Sequence, residues 1–387
     1  CYNNAIGLNT LYNNISGDHN FAAGRCALYG NWGGCYNTAI GEGVMRGNTT
    51  GCHNAAIGKC ALDYNSTGCS NTAIGNTVLS RNTTGCFNTA IGEGALQQNT
   101  TAGCNTAIGC GALICNTTGD NNTAIGYLAL KANTEGIYNH GIGLYALCNN
   151  TTGNNNTAIG AYTMQSNTEG DHNHSLGYFS LYSNTTGCYN TAIGACAMRY
   201  NTTGTYNTAI GQSALKNNTT GHHNIAFGGA ALNNNTTGQY NFAAGYQALV
   251  SSVSGNYNTA IGIYSMYHNI HGCDNTAIGQ QTLRNNTTGN YNTGIGQWAM
   301  HCNTTGHNNT GIGVNNLCGN KTGGCNVAIG DNALKNSLSG HHNFAAGYRS
   351  LYNNYGGCCN TAIGQNALCS NTTGIRNTGI GPYALNK

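Results

Sequence analysis

Residues Asn241–Leu249 read NFAAGYQAL, and the stretch that follows one period later, Asn258–Met266, reads NTAIGIYSM. The offset is 17 residues, and it holds throughout. The Asn that opens each copy recurs at Asn3, Asn20, Asn37, Asn54 and onward to Asn377, twenty-three times without insertion or deletion. A period that never slips marks a stack of equivalent coils, because one added residue in one coil would misalign every ladder of side chains. The consensus is N-T-A-I-G-x-x-A-L-x-x-N-T-T-G-x-x, numbered below as positions 1 to 17 from the opening Asn. Its segments T-A-I and x-A-L are too short for helices and are bounded by Gly, Asn and Thr. The expected fold is therefore all-β: a parallel β-solenoid, or β-roll, of 23 coils with two short strands each, running as one continuous array over residues 1–387. Burying one Leu or Ile contributes about 1.5–3 kcal/mol, whereas fixing the backbone costs about 1–2 kcal/mol per residue. A single coil cannot stand alone, but a stack can.

Composition narrows the function classes. Charged residues make up 6% of the chain, against about 25% in an ordinary soluble domain. The formal net charge of +3 comes from scattered Lys and Arg, with no basic patch of the kind that binds nucleic acid. No apolar run approaches the roughly 18–20 residues of a membrane helix, so no membrane insertion is expected. The closest carboxylate pair, Glu169 and Asp171, falls in a turn, and nothing resembles a catalytic constellation or a cofactor motif. The sequence reads as a non-enzyme without cofactor or metal. Cys1 occupies a column that holds seven other cysteines, so the chain begins partway through a repeat and is expected to belong to something longer.

The columns suggest a core. Position 2 is Thr in 14 copies and position 4 is Ile in 18. Wherever position 2 becomes Phe (Phe21, Phe242, Phe344), position 4 becomes Ala (Ala23, Ala244, Ala346). Residues two apart in a strand share a face, and a large-for-small exchange that conserves volume belongs to a packed environment. On this reading Thr38, Ile40, Ile57, Phe242 and Ala244 line the interior. Position 9, Leu or Met in every copy (Met45, Leu62, Leu249), forms the opposite wall. NIAFGGAAL, with Ile225 and Phe227 both large, is expected to distort the coil locally. Position 3 never exceeds Ser in size and would point outward. Ala39, Ala56, Ala73, Ala90, Gly294 and Gly311 are thus interface candidates for a second copy of the chain; the alternative is a flattened coil that excludes bulk at this position. The constant Gly at position 5 suits a corner with positive φ. The constant Asn at position 1 suits a turn cap stacked as an amide ladder.

Other columns carry candidate chemistry. Cys35, Cys52, Cys69 and Cys86 stand one coil apart, close enough for disulfides: Cys35–Cys52 with Cys69–Cys86, or Cys52–Cys69. Cys302 with Cys318, or Cys318 with Cys325, are further pairings, and free thiols are the alternative. Fifteen copies hold an Asn-x-Ser/Thr sequon in the long turn. Asn48, Asn65, Asn82, Asn116, Asn184, Asn218, Asn286 and Asn371 are therefore glycosylation candidates, although Asn, Thr and Gly also suit such a turn for conformational reasons. Position 17 alternates Tyr and His (Tyr36, His53, Tyr206, His223, Tyr240, Tyr257) as an aromatic stripe able to stack on sugars or on a neighbouring rod.

The pattern NTAIGxxALxxNTTG, with NVAIG at Asn326, resembles the head repeats of YadA-type trimeric autotransporter adhesins, and related NTAIG arrays in phage and viral tail-fibre and surface proteins. The resemblance covers the whole chain; the repeat here is longer in its Asn-Thr-Thr-Gly turn and richer in cysteine. It implies a left-handed roll, commonly trimeric, exposed on a cell or virion and used for attachment. The function expected is an extracellular structural or adhesive fibre whose partners are copies of itself, as a trimer or an end-to-end filament, with a surface glycan or receptor as a further partner. The rivals are an ice-binding solenoid, against which the burial expected for the Thr column counts, and a glycan-binding module using the Tyr/His stripe.

Overall fold

The computed structural model describes residues 2–386; the reading of Cys1 lies outside them. They fall into two compact units, divided between Asn190 and Thr191. Unit 1 holds eleven three-residue strands, from β1 (Asn4–Ile6) to β11 (His174–Leu176). Unit 2 holds twelve, from β12 (Thr191–Ile193) to β23 (Thr378–Ile380). Within each unit every strand pairs in parallel with the next at an offset of 17 residues: Thr38 faces Ala55 and Ile40 faces Ile57, and in unit 2 Thr259 faces Thr276. Each unit is a parallel β-solenoid, as the period requires.

One strand forms per coil, not two. The x-A-L segment is a turn in every coil, with positive φ at positions 7 and 9, for example Cys60 (54°) and Leu62 (51°). Positions 8 and 9 both point inward, as Ala61 and Leu62 do at 0% exposure; in a strand, adjacent side chains would point to opposite faces. Two hydrogen-bonded turns follow each other here. The N–H of Ala95 reaches the Gly92 carbonyl at 3.3 Å, and that of Asn99 reaches Leu96 at 3.1 Å. Left-handed backbone at a residue other than Gly costs about 1–2 kcal/mol. Burial of the Leu and bonding to the next coil, Leu62 N–H to the Val78 carbonyl at 2.9 Å, offset it.

The strand faces are inverted relative to the expectation. The middle residue of the strand is inside: Ala39, Ala56, Ala73 and Ala90 are wholly buried, and Gly294 and Gly311 are buried too. They are not interface residues. Thr38, Ile40, Ile57, Phe242 and Ala244 do not line the core. Ile40 is 37% exposed and Phe242 and Ala244 are half-buried on the outer face. Met45, Leu62 and Leu249 are buried as expected. The coil is flat, and position 3 must be small because the position-8 and position-9 side chains lie directly against it. A Cβ on Gly294 would meet Thr282 Cγ2 at 2.7 Å, and one on Gly311 would collide with Asn316. Ser175 and Ser180, positions 3 and 8 of one coil, satisfy each other at 2.7 Å. Ile225 and Phe227 both point outward, and their strand keeps register with both neighbours, so no distortion arises there.

The remaining interior is polar. The Asn at position 1 caps the turn as expected: Asn37 Nδ2 donates to the Gly51 carbonyl at 2.8 Å, and its Oδ1 accepts the Asn54 N–H at 3.0 Å. A second amide ladder runs at position 12. There Asn65 Nδ2 donates to Asn48 Oδ1 at 2.8 Å and to the Gly68 carbonyl at 2.9 Å. A Cβ at Gly68 would overlap the carbonyl of Gly85, and the column is Gly in every coil but that of Ala102. The position-5 Gly adopts the positive φ expected, 128° at Gly58.

Position 12 becomes Ser at Ser252 and Ser337, and each break leaves the preceding Asn235 or Asn320 Oδ1 buried without a partner, along with the serine hydroxyl. A buried unsatisfied polar atom costs about 1–3 kcal/mol. Ser252→Asn and Ser337→Asn should therefore each stabilise the fold by about 1 kcal/mol, read as a higher denaturant midpoint with unchanged slope.

Candidate interaction surface

Turning Thr and Ile outward creates an apolar ladder on the strand face of each unit. Ile74 is 39% exposed and Ile108 37% in unit 1, and Ile278 is 37% exposed in unit 2. The Thr of position 2 is half-buried beside them. Phe21 and Phe344 lie in this same surface, each two residues from its Ala. The volume-conserving exchange therefore operates on the outside of the coil, where Phe242 also meets Phe227 of the preceding coil edge-on at 6.2 Å. Single exposed apolar side chains are ordinary, but a contiguous ladder marks an interaction surface.

The position-17 stripe is a ring stack. In unit 1 His19 lies 4.7 Å from Tyr36, and Tyr36 lies 5.0 Å from His53. In unit 2 Tyr206, His223, Tyr240 and Tyr257 follow at 4.9, 4.8 and 5.0 Å. Sugar recognition uses open ring faces, and stacking along the column covers the faces of the inner rings. A second aromatic cluster, which column reading at position 17 does not find, gathers Tyr145, Tyr162 and Phe179 at position 7 of three successive coils. Tyr145 stacks on Tyr162 at 5.6 Å, and Tyr162 on Phe179 at 5.0 Å. The run of aromatics at one position was visible in the sequence.

The position-16 cysteines have a role that pairing chemistry does not suggest. No cysteine among the described residues is disulfide-bonded. The Cys35 N–H donates to Cys52 Sγ at 3.1 Å, Cys52 N–H to Cys69 Sγ at 3.2 Å, and Cys69 N–H to Cys86 Sγ at 3.1 Å. The thiols in turn donate to carbonyls two residues back, Cys52 to Thr50 and Cys69 to Thr67, both at 3.3 Å. Burial pushes the Cys52 thiol up from its ordinary range, which keeps the proton on this donor. Asp and Asn do the same work in other coils: Asp120 Oδ1 accepts the Gly103 N–H at 2.7 Å and Asn154 Oδ1 the Ile137 N–H at 2.9 Å. Where this column holds Cys, Asp or Asn in these coils, the side chain accepts a backbone N–H of the coil before; Gly103, Ile137, Gly324 and Ile375 bring no such acceptor. Cys325 is in the position-17 column, its N–H on the His307 carbonyl at 3.0 Å.

The sequons lie inside the coil. Asn48, Asn65, Asn82, Asn116, Asn184, Asn218 and Asn286 are wholly buried, and Asn371 is half-buried. Their Nδ2 atoms, where a glycan would attach, donate within the second amide ladder. The folded coil has no room for a glycan at them, which corrects that reading. Among the described residues, no group of three or more His, Cys, Asp or Glu side chains is arranged to hold a metal ion.

No family model matches the chain, and no curated protein is significantly similar to it in sequence.

Because the Cys35 N–H is part-buried, Cys52→Ala should lower stability by about 1 kcal/mol, the low end of the cost of an orphaned donor. Cys52→Asn should lie within about 0.5 kcal/mol of wild type. Denaturant melts of the two variants check this, and equal losses would contradict it.

Proposed function

We propose that the protein is a structural fibre component that associates side by side with copies of itself through the Thr/Ile strand face, and that it works outside the cell as part of a surface or attachment fibre. The observation that carries this reading is the Phe-for-Thr, Ala-for-Ile exchange on an outward face. Volume is conserved where packing fills space, and solvent imposes no such condition. A covered face supplies it.

Magnitudes favour a partner with the same face. Covering the exposed two-fifths of one Ile gains about 0.6–1.2 kcal/mol. Nine isoleucines in each unit's ladder then supply roughly 5–10 kcal/mol, against an association cost of about 4–15 kcal/mol. One ladder against a polar surface barely offsets that cost, whereas two ladders facing each other supply roughly 10–20 kcal/mol, which covers most of its range. The low charge leaves little electrostatic repulsion between copies. The resemblance to adhesin heads supports the extracellular setting, and a role in attachment to a surface or receptor rests on it alone. Ile74→Glu with Ile108→Glu should convert the assembly into monomers in sedimentation velocity while leaving the circular dichroism spectrum unchanged. A wild-type protein that sediments as a monomer at micromolar concentration would refute the proposal.

The outward Thr column also favours a second reading, ice binding, because the expected burial that counted against it does not occur. Opposing it, the column is broken by Asn4, Phe21, Ala55, His140, His174, Ile225, Phe242, Val327 and Phe344, and no run of Thr exceeds four coils. A self-associating fibre should show no thermal hysteresis in a freezing-point assay; measurable hysteresis at micromolar concentration would favour the ice-binding reading.

A further inference from the structure

Cys302 and Cys318 stand apart from the thiol ladder at position 16. They occupy positions 11 and 10 of successive coils in unit 2, and the Cys302 N–H donates to the Cys318 carbonyl at 2.9 Å. Both side chains are half-exposed. His301 Nδ1 lies 3.5 Å from Cys302 Sγ. Lys321 adds a positive charge near Cys302, and Lys335 one near Cys318. From this cluster we infer a reactive dithiol site, in which Cys302 is the attacking nucleophile, Cys318 the resolving thiol and small-molecule disulfides the substrate class.

The acidities of the two thiols diverge in the sense such a site needs. Hydrogen bonds from Cys318 and His301 hold the Cys302 thiol far below its ordinary range, and Cys318, which shares its proton with Cys302, is pushed far above it. Burial instead pushes the Cys52 and Cys148 thiols up. The thiolate is the nucleophile, so the hydrogen bonds at Cys302 favour attack there over Cys52 and Cys148.

The reaction balances without an external reductant. The Cys302 thiolate attacks one sulfur of the disulfide; an S–S bond breaks, a mixed disulfide forms and one small thiolate leaves. The Cys318 sulfur then attacks Cys302, its proton passing to the second departing thiolate. Two protein thiols are oxidised and one small disulfide is reduced to two thiols. The product is a covalent bond between adjacent coils.

The test uses the full-length reduced protein and glutathione disulfide at pH 6, with peptide mapping over time. The Cys302–Cys318 linkage should form at least about tenfold sooner than any other modification. Cys318→Ser should trap glutathione on Cys302, and His301→Gln should slow the first step. Should Cys318→Ser fail to fold, iodoacetamide labelling of the wild type at pH 5.5 gives the same information, because Cys302 should be alkylated well before Cys52. Modification of Cys302 no faster than Cys52, or glutathione trapped elsewhere in Cys318→Ser, would overturn the assignment.

Discussion

The structure depends on the two buried asparagine ladders. Each coil's interior is too narrow for a wide hydrocarbon core: an Ala or Gly from position 3, a small residue from position 8 and one Leu or Met fill it. The rest is amide. At position 1 the side chain ties its own coil closed on a glycine carbonyl fourteen residues later and receives an N–H from the following coil, as Asn71 does with Gly85 and Asn88. At position 12 the amide binds a carbonyl three residues on and the amide of the preceding coil. Buried polar groups are costly unless bonded, and here nearly every amide is bonded within its coil and to a neighbour. That condition explains the rigid period. A residue inserted in one coil would orphan both ladders at once.

The sequence was most legible where the repeat alone decides. The 17-residue register, the strand over positions 2–4, the Leu/Met wall, the glycine corner and the cap at position 1 all appear as expected. What the sequence concealed is instructive. Period-2 alternation states that Thr38 and Ile40 share a face and that Ala39 takes the other, but not which face is inside. The Phe/Ala exchange does not decide it, because Phe242 and Ala244 share the outer face. The better signal lay in the small column. In two coils this column answers position 8 directly, Gly311 making room for Asn316 and Ser175 hydrogen-bonding Ser180.

Two further features were hidden for a different reason. Left-handed backbone is ordinarily flagged by Gly or Asn, yet here Leu, Met, Tyr and Cys adopt it in coil after coil. Local propensity is overridden by stacking, because left-handed residues such as Tyr36, Cys60, Leu62 and Met198 send their N–H to an adjacent coil. Likewise Asn at position 12 reads as a surface turn residue or a sequon by composition, and only the closed coil turns its amide inward. Features of this kind exist only between coils.

The thiol column shows how such inter-coil constraints shape composition. A sulfur that both accepts an N–H and donates to a carbonyl fills a position where Asp, Asn and, at His341, an imidazole also serve. Cysteine abundance therefore does not require an oxidising setting or a network of staples. A disulfide along the column would remove the S–H that meets the carbonyl two residues back and would turn the sulfur away from the N–H it accepts. The reduced ladder and the stapled ladder are alternatives. Cys302 and Cys318 escape this competition, since neither belongs to the column and their backbones already bond directly across the coils. Covalent linkage there adds a constraint without dismantling a hydrogen bond of the position-16 ladder, which is why reactivity can be confined to one pair in a chain rich in thiols.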